Sequence, residues 1–108
     1  MEDISYDDFV RLDIRVARVV SVDTIPGKSR ICQAVIDVGN QTRTVIVGGV
    51  QHYTPDSLIG KTVVVLFNLE PRTISGVTSE GMLLAADVND KPFWLTVPEE
   101  VPPGSRIK

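Results

Sequence analysis

The sequence predicts an all-β fold, a small five-stranded barrel, and three observations support this class. Five short runs rich in apolar and β-branched residues are separated by turns that contain glycine or proline. Only two short segments carry helix start signals, one before the first strand and one between the third and the fourth. The 108-residue chain is 43% hydrophobic and 23% charged, which suits a globular protein with a single core. We therefore expect one domain over residues 1–108, with its core at about residues 14–87.

The chain is expected to begin with a short helix and a first strand. Ser5 is followed three residues later by Asp8, a capping-box-like start for a helix from about Tyr6 to Leu12. A period-two pattern then predicts a strand over residues 14–23, which Pro26-Gly27 separates from the next element. The apolar residues that this pattern places on one face are Ile14, Val16, Val20 and Val22.

Two further strands and a second short helix follow. The alternation in ICQAVIDVG predicts the second strand over residues 31–39, and the third strand is expected at about residues 42–47. After the third strand, Thr54 is a suitable N-cap, Pro55 suits the first helical position and Gly60 lies just past the end. These signals leave room for one or two helical turns.

The last two barrel strands flank a long polar loop. TVVVLF, residues 62–67, is apolar on both faces like a central strand, and MLLAAD, residues 82–87, predicts the fifth strand. A short extra strand is expected in FWLTV, residues 93–97, before a proline-rich, irregular C-terminal extension. Three strands, a short helix and two strands are typical of the OB-fold, a five-stranded Greek-key barrel. A small sandwich or an SH3-like barrel is the structural alternative.

An OB-fold binds oligonucleotides through its first-second and fourth-fifth strand loops, here Thr24–Arg30 and Asn68–Gly81. Phosphate contacts need Arg and Lys side chains supported by small polar groups. The loops supply both kinds of residue, the basic ones being Lys28, Arg30 and Arg72 and the polar ones including Asn68 and Ser79. A flexible barrel loop of ordinary turn composition is the alternative interpretation.

Charge is unevenly distributed along the chain. Residues 14–86 carry seven basic and five acidic side chains, whereas the two flanks together carry four basic and nine acidic ones, which accounts for the formal net charge of −3. The middle of the chain is therefore mildly basic. This charge balance is only weak evidence that the protein binds a polyanion such as a nucleic acid. The alternative is an ordinary solvated surface that carries charges of both signs.

The residues that could support catalysis or hold a metal are few. His52 is the only histidine, so sites with two histidine ligands are excluded, and we expect it to be structural or at the surface. Cys32 alternates with core residues and should behave as a small buried apolar residue. Glu80 has no partner carboxylate nearby in sequence, so we expect it to brace its loop by accepting backbone hydrogen bonds. No catalytic residue, metal or cofactor is predicted.

Localisation and ligand type follow from similar observations. A single cysteine cannot form an intramolecular disulfide, which favours the reducing cytoplasm. No apolar stretch reaches the roughly 18 residues that a membrane span needs, and MEDISYDD does not have the pattern of a secretory signal. Aromatic residues are only 6% of the chain and none lies in either loop, which disfavours base stacking and favours recognition of a folded RNA by shape.

Three stretches closely resemble the OB-fold tRNA-binding domain. They are LDIRVARVVSV (Leu12–Val22), YTPDSLIGKTVVV (Tyr53–Val65) and NLEPRTISGVTSEGMLLAA (Asn68–Ala86). That family includes free-standing proteins, the C-terminus of many methionyl-tRNA synthetases, part of bacterial phenylalanyl-tRNA synthetase and synthetase-associated cytokine precursors. The resemblance implies structure-specific, non-catalytic tRNA binding, either alone or as an accessory β subunit of methionyl-tRNA synthetase.

The resemblance also implies a set of binding residues. The positions that match the family signature are Asn68, Arg72, Ser79, Glu80 and Met82, and to these we add Lys28 and Arg30, although KSRI replaces the Asp-Lys-Leu run of many members. The expected roles are phosphate contacts for the three basic residues, hydrogen bonds to RNA from Asn68 and Ser79, packing beneath the RNA for Met82 and bracing by Glu80. In the free-standing branch a homodimer is built by segments equivalent to Ser5–Leu12 and Pro92–Lys108.

A related branch, the CsaA-type export chaperones, shares the fold and binds unfolded precursor polypeptides. Its loop tends to end in Ser-Glu followed by an apolar residue, whereas this chain has Ser79-Glu80-Gly81-Met82. That difference favours tRNA, and peptide binding is the alternative.

Overall fold

Five antiparallel strands form the barrel sheet in the computed structural model, which describes residues 1–108. These strands are β1 Ile14–Thr24, β2 Ile31–Asp37, β3 Thr42–Gly48, β4 Thr62–Leu66 and β7 Met82–Leu83, while β5 Arg72–Ile74 and β6 Val77–Ser79 pair separately. The order across the sheet is β3-β2-β1-β4-β7. The three-stranded meander followed by a fourth strand that pairs with the first confirms the OB-type topology predicted from the order of elements.

The barrel is closed by a segment that the sequence predicts to be loop. Strand β7 is only two residues long and pairs with β4. Just before it, the Glu80 backbone N–H donates to Thr44 O at 2.9 Å, and Ser79 Oγ accepts from the Ile46 backbone N–H at 2.8 Å. These bonds join the two edges of the sheet, so the polar segment before Met82 is part of the barrel wall.

The core lies inside this barrel and consists of 14 buried residues. In β2 the inward side chains alternate as predicted, with Cys32, Ala34 and Ile36 at 1% exposure or less. The prediction that Cys32 is a buried apolar residue is confirmed, and burial raises the pKa of its thiol. Seven of the other eleven members are valines, five of them in β1, β3 and β4, which suits strands that must pack closely around a narrow interior.

Strand β1 does not keep the single face that its period-two pattern predicts. Its register with β2 shifts between Val19 and Ser21, which marks a β-bulge. Ala17 and Val19 face the core, whereas Val20 is 52% exposed. The assignment of Val20 to the buried face was therefore wrong, because Ala17 and Val19 place the core on the other face of the strand. The bulge at Val20 then reverses the alternation and brings Val22 against the core.

The C-terminal extension pairs with the free edge of β1. Backbone hydrogen bonds join Gly104 N to Val16 O at 2.7 Å, Val16 N to Ser105 O at 2.9 Å and Ile107 N to Ile14 O at 2.8 Å. The extension thus covers the part of β1 that β2 does not reach, which satisfies backbone groups that would otherwise form an open sheet edge.

The helical elements are shorter than the sequence predicts. Helix α1 spans Tyr6–Val10 and is capped as expected, with the Asp8 N–H donating to Ser5 Oγ at 3.1 Å. Between β3 and β4, two 3₁₀ turns, Val50–His52 and Pro55–Leu58, replace the predicted helix. Thr54 makes no side-chain cap there, because a single 3₁₀ turn presents fewer free N–H groups. No helix is long and apolar enough to cross a membrane.

Two β-hairpins project from the barrel, and neither was predicted. The first joins β5 Arg72–Ile74 to β6 Val77–Ser79, and the second joins β8 Ala85–Val88 to β9 Lys91–Trp94. Each turns through two residues with positive φ, as in type I′ turns. The predictions of a plain loop over residues 68–81 and of a continuous strand over 82–87 were wrong. The extra strand predicted over residues 93–97 is present, but its bounds are Lys91–Trp94. The apolar run at residues 82–86 continues across the point where the chain leaves the barrel.

A compact charged cluster fixes the start of β1 to the end of β4. Arg15 donates two hydrogen bonds of 2.9 Å to the two carboxylate oxygens of Asp13, and Arg106 Nε lies 3.2 Å from Asp13 Oδ1. The guanidinium carbons of Arg15 and Arg43 lie 4.2 and 3.6 Å from the centre of the Phe67 ring. The hydrogen bonds from Arg15 are the main cause that lowers the pKa of Asp13 below its ordinary value of 3.8.

This cluster predicts a specific acid sensitivity. A carboxyl group whose pKa is lower in the folded state stabilises the fold above its ordinary pKa and loses that contribution as pH falls through the lowered value. We therefore expect an Asp13→Asn variant to be less stable than the wild type at pH 7, with a difference that shrinks below about pH 4. Urea unfolding from pH 7 to pH 2 measures both quantities. An exposed, unpaired acid in α1 provides the control, Asp7→Asn, and a constant difference between Asp13→Asn and wild type across this range would contradict the prediction.

Candidate nucleic-acid interface

The β5–β6 hairpin and strand β3 form the walls of a surface groove of about 330 Å³, here called the hairpin groove. Its lining includes Ile46, Leu69, Arg72 and Met82. Ile46 lies on the outward face of β3, next to the hydrogen bond that its N–H makes to Ser79. The groove therefore has an apolar floor, and its wall carries one basic and one acidic side chain, Arg72 and Glu70.

Arg72 is the charged group best placed to contact a ligand in this groove. It opens β5, is exposed, and is directly opposite Ser79 in the hairpin register. None of the ion pairs or side-chain hydrogen bonds of the protein involves it. An exposed guanidinium without an internal partner can donate two hydrogen bonds to a phosphate at little desolvation cost.

A second groove of about 360 Å³, here called the inter-hairpin groove, continues the first. It shares Ile46, Arg72 and Met82 with the hairpin groove and extends to Trp94 on the other hairpin. Met82 is 43% exposed at the junction of the two grooves, so it can pack against a sugar or a base as predicted for a residue beneath RNA. That role for Met82 stays a prediction.

The inter-hairpin groove also has acidic side chains. Asp87 and Asp90 line it together with Arg72, and Glu70 lines the hairpin groove. Carboxylates repel phosphate, so a polyanionic backbone is favoured near Arg72 and disfavoured near these acids. Arg72 is therefore the preferred position for a phosphate in both grooves.

Two of the predicted contact residues have their polar atoms engaged inside the protein. Ser79 is 6% exposed, and its hydroxyl accepts from the Ile46 N–H and donates to Gly81 O at 3.0 Å. Asn68 Oδ1 accepts from the Asp13 N–H at 2.9 Å, and Asn68 Nδ2 donates to Arg11 O at 2.8 Å. Burial makes the direct RNA contact expected of Ser79 unavailable, so its hydroxyl has a positioning role. Asn68 is exposed and keeps a second amide N–H and a second lone pair, so its contact with RNA stays a prediction.

Glu80 braces the barrel, but not in the expected way. Its backbone N–H donates to Thr44 O, whereas its exposed carboxylate makes no hydrogen bond and no ion pair. The expectation that the carboxylate would accept backbone hydrogen bonds is thus not met, because the neighbouring Ser79 hydroxyl already satisfies the nearby N–H of Ile46.

The first predicted loop lies beside these grooves without lining them. Lys28 and Arg30 are both exposed, and Arg30 O accepts from the Val50 N–H at 3.3 Å. The next residue, Ile31, pairs with Gly48 at the end of β3, and Gly48 lines the inter-hairpin groove. The two basic side chains therefore flank the groove end, where they can contribute to a phosphate contact only from the outside.

Sequence reasoning missed two residues of this surface. Ile46 was assigned only to a barrel strand, and Trp94 was assigned to an extra strand remote from either loop. Outward-facing apolar residues on β3 are the one signal that could have indicated Ile46. Trp94 carried no such signal, because the β8–β9 hairpin that brings it back to β3 was itself not predicted.

No group of three or more His, Cys, Asp or Glu side chains is placed to hold a metal ion. His52 is exposed in a 3₁₀ turn, as expected of a surface residue.

The chain matches a described protein family over most of its length. Residues 14–106 match the family described as "Putative tRNA binding domain". Methionine–tRNA ligase of Bacteroides fragilis is 44% identical over 106 residues, which are 97% of this chain and 16% of that protein. The chain thus spans about a sixth of the length of this curated relative.

Solved structures agree on the fold. The crystal structure of a MetRS-related protein from Pyrococcus horikoshii superposes with a TM-score of 0.94 at 35% identity, and each chain is covered completely. The crystal structure of the chaperone CsaA from Bacillus anthracis superposes with a TM-score of 0.88 at 25% identity, covering 99% of this chain and 100% of that one.

Proposed function

Because the chain belongs to the tRNA-binding domain family that matches residues 14–106, we propose that it binds folded tRNA along the hairpin and inter-hairpin grooves. The observation that carries this proposal is Arg72, an exposed guanidinium without an internal partner at the junction of both grooves. Met82, which is 43% exposed above the buried Ile46, supplies an apolar surface on which a sugar or base can pack. Lys28 and Arg30 add positive charge at the flank. Such a surface recognises the shape and backbone of RNA rather than its sequence.

We propose that this binding serves aminoacylation without catalysis by the chain itself. Support comes from the methionine–tRNA ligases to which it is similar, of which it spans about a sixth. The proposed role is an accessory tRNA-binding subunit or domain of methionyl-tRNA synthetase in the cytoplasm. Such a subunit raises the local concentration of tRNA at the synthetase and lowers the KM for tRNA.

A homodimer is part of the proposal. Helix α1 buries none of its residues within the chain, and it exposes Tyr6 and Val10, with Ile4 and Leu12 beside it. A five-residue helix with no packing partner is marginal in water, so a second copy of the chain would stabilise it. A symmetric pair would also double the phosphate contacts available to one tRNA.

An Arg72→Ala variant tests the proposal. We expect it to weaken tRNA binding by about 1–3 kcal/mol and to reduce the slope of log K against log salt by about one, because one phosphate contact is lost. Filter binding of unfractionated tRNA at several salt concentrations measures both quantities.

Arg11→Ala is the matched control, since it removes the same charge from an arginine that is 82% exposed and outside both grooves. Wild-type affinity in Arg72→Ala, or equal affinity of the wild type for an unstructured RNA of the same length, would refute the proposal. An equal loss in both variants would show that only overall charge matters.

Peptide binding is the second candidate function. The likeness to the chaperone CsaA and the apolar lining of the hairpin groove by Ile46, Leu69 and Met82 favour it. A peptide-binding protein should suppress aggregation of an unfolded substrate with little dependence on salt, whereas tRNA binding should weaken steeply as salt rises.

A further inference from the structure

Half of the aromatic side chains of the protein come together on one surface beside the grooves described above. Six residues of the chain are aromatic, and three of them, Tyr53, Phe93 and Trp94, line or border one groove of about 340 Å³. Lys61 lines the same groove, and Lys91 lies against two of the rings. We call these five residues the aromatic-lysine surface.

The aromatic-lysine surface is held in a defined geometry. Lys91 Nζ lies 5.3 Å from the ring centres of both Tyr53 and Phe93. The Tyr53 hydroxyl donates a 2.6 Å hydrogen bond to Pro92 O, which ties the segment after β3 to the β8–β9 hairpin. Phe93 remains 46% exposed. The Phe93 ring is therefore exposed to solvent beside the Lys91 ammonium group, whose position is restricted by the rings of Tyr53 and Phe93.

The chemistry of this surface fits one class of ligand. The groove contains Ser57 and Thr96 besides its aromatic residues and Lys61, and no acidic side chain lines it. An aromatic face accepts a planar base, with stacking that is tolerant of sequence, and lysines accept the phosphate attached to it. A nucleotide carries both features, whereas an apolar peptide segment would leave the two lysines without a counter-charge.

The aromatic-lysine surface also continues the proposed RNA path. Trp94 lines both its groove and the inter-hairpin groove, and the latter shares Arg72 and Met82 with the hairpin groove. Three grooves thus follow one another from the β5–β6 hairpin to the 3₁₀ turns after β3. An RNA strand that contacts both Arg72 and Phe93 passes Asp87 and Asp90 of the inter-hairpin groove, so its phosphates there must point away from the protein.

We propose that the aromatic-lysine surface binds an unpaired nucleotide of the same RNA, with its base stacked on Phe93 and its phosphate near Lys61 and Lys91. This inference rests on the proposed function, which it extends to a second contact region. It also revises the expectation that base stacking has no part in binding. That expectation came from the absence of aromatic residues in the two loops, but the fold supplies them from elsewhere in the chain.

Two substitutions of Phe93 test the stacking contact. Phe93→Leu keeps an apolar side chain but removes the ring, and we expect it to weaken binding of unfractionated tRNA by about 5- to 100-fold. Phe93→Tyr keeps the ring and should bind within about two-fold of the wild type. Val88→Thr, at a 52% exposed position on the same hairpin outside the groove, is the matched control and should leave affinity unchanged. Lys61→Gln should reduce the salt slope by about one.

The possible outcomes separate this inference from the proposed function. If Arg72→Ala weakens binding and Phe93→Leu does not, the aromatic-lysine surface is not a nucleotide site but the grooves still bind tRNA. If neither variant weakens binding, the proposed function fails as well. Equal losses in Phe93→Leu and Phe93→Tyr would also overturn the stacking role. So would a change in the sedimentation of Phe93→Leu without RNA, because the surface would then contact a second copy of the chain.

Discussion

A Gly104→Ala substitution is expected to lower the free energy of unfolding by about 2–5 kcal/mol. Gly104 has φ +93°, a backbone conformation that is costly for any residue with a side chain, and an added Cβ would lie 2.5 Å from Val38 O. The contact is with backbone, so no rotamer change can relieve it. Either the C-terminal extension shifts away from β1, or the turn after β2 moves.

The Gly104→Ala substitution should also loosen the contact between the C-terminal extension and β1. Gly104 and Ser105 exchange backbone hydrogen bonds with Val16, so a displaced extension would expose the edge of β1. Urea unfolding measures the loss of stability, and hydrogen exchange at the Val16 N–H reports release of the extension.

Gly60→Ala provides the control for this prediction. Gly60 has a similar φ of +84° but no atom within 4 Å of an added Cβ. Its variant should therefore show only the conformational cost, about 1–2 kcal/mol. If Gly104→Ala and Gly60→Ala are equally destabilised, the close approach to Val38 contributes nothing and the prediction is wrong.

The second large effect is expected for Phe67→Ala, which should cost about 3–5 kcal/mol of stability. Phe67 is 7% exposed and belongs to the core, and the guanidinium groups of Arg15 and Arg43 pack on its ring. Truncation leaves a cavity and removes the aromatic surface on which both cations pack. Arg43 additionally donates to Phe67 O at 3.0 Å, a bond that the substitution leaves chemically possible.

The Phe67→Leu variant separates the contribution of core packing from that of the cation–π contacts. Leucine fills much of the cavity but offers no aromatic face, so an intermediate loss is expected, with the remainder due to the cation–π contacts. Chemical unfolding of the three proteins at one pH provides the comparison. A loss below about 1 kcal/mol for Phe67→Ala would show that the site collapses around the smaller side chain and that the cations stabilise little.

The parts of the fold that could be predicted from the sequence are those with a strong periodic or turn signal. Strand β2 was predicted with the correct buried face, because Cys32, Ala34 and Ile36 alternate without interruption. Strand β1 was located correctly, but the bulge after Val19 reversed part of its buried face. A bulge depends on pairing with a neighbouring strand, so a pattern within one strand does not reveal it.

The two hairpins could not be predicted either, because their strands are very short. Each of their strands has only three or four residues, too few for a period of two to stand out from loop composition. The turns Ser75-Gly76 and Asn89-Asp90 were the available signals, since these residue types tolerate the positive φ of a type I′ turn. Without the hairpins, the position of Trp94 next to Met82 could not be predicted.

For the candidate site, residue type was a better guide to location than to role. Arg72 and Met82 line the grooves as their types suggested, and their contacts with RNA remain predictions. Asn68 and Ser79 belong to the same region but use their polar atoms for the backbone of Arg11, Asp13, Ile46 and Gly81. Whether a polar side chain faces a ligand or the protein depends on tertiary neighbours, which a residue's type does not specify.

The buried position of Cys32 has a practical consequence for studying these surfaces. It is the only cysteine of the chain, it is 1% exposed, and the raised pKa of its thiol leaves little of the reactive thiolate at neutral pH. The wild-type protein should therefore react very little with maleimide reagents. A cysteine introduced at Ser75, on the exposed tip of the β5–β6 hairpin, would accept a fluorophore or spin label at that one place without removal of the native residue.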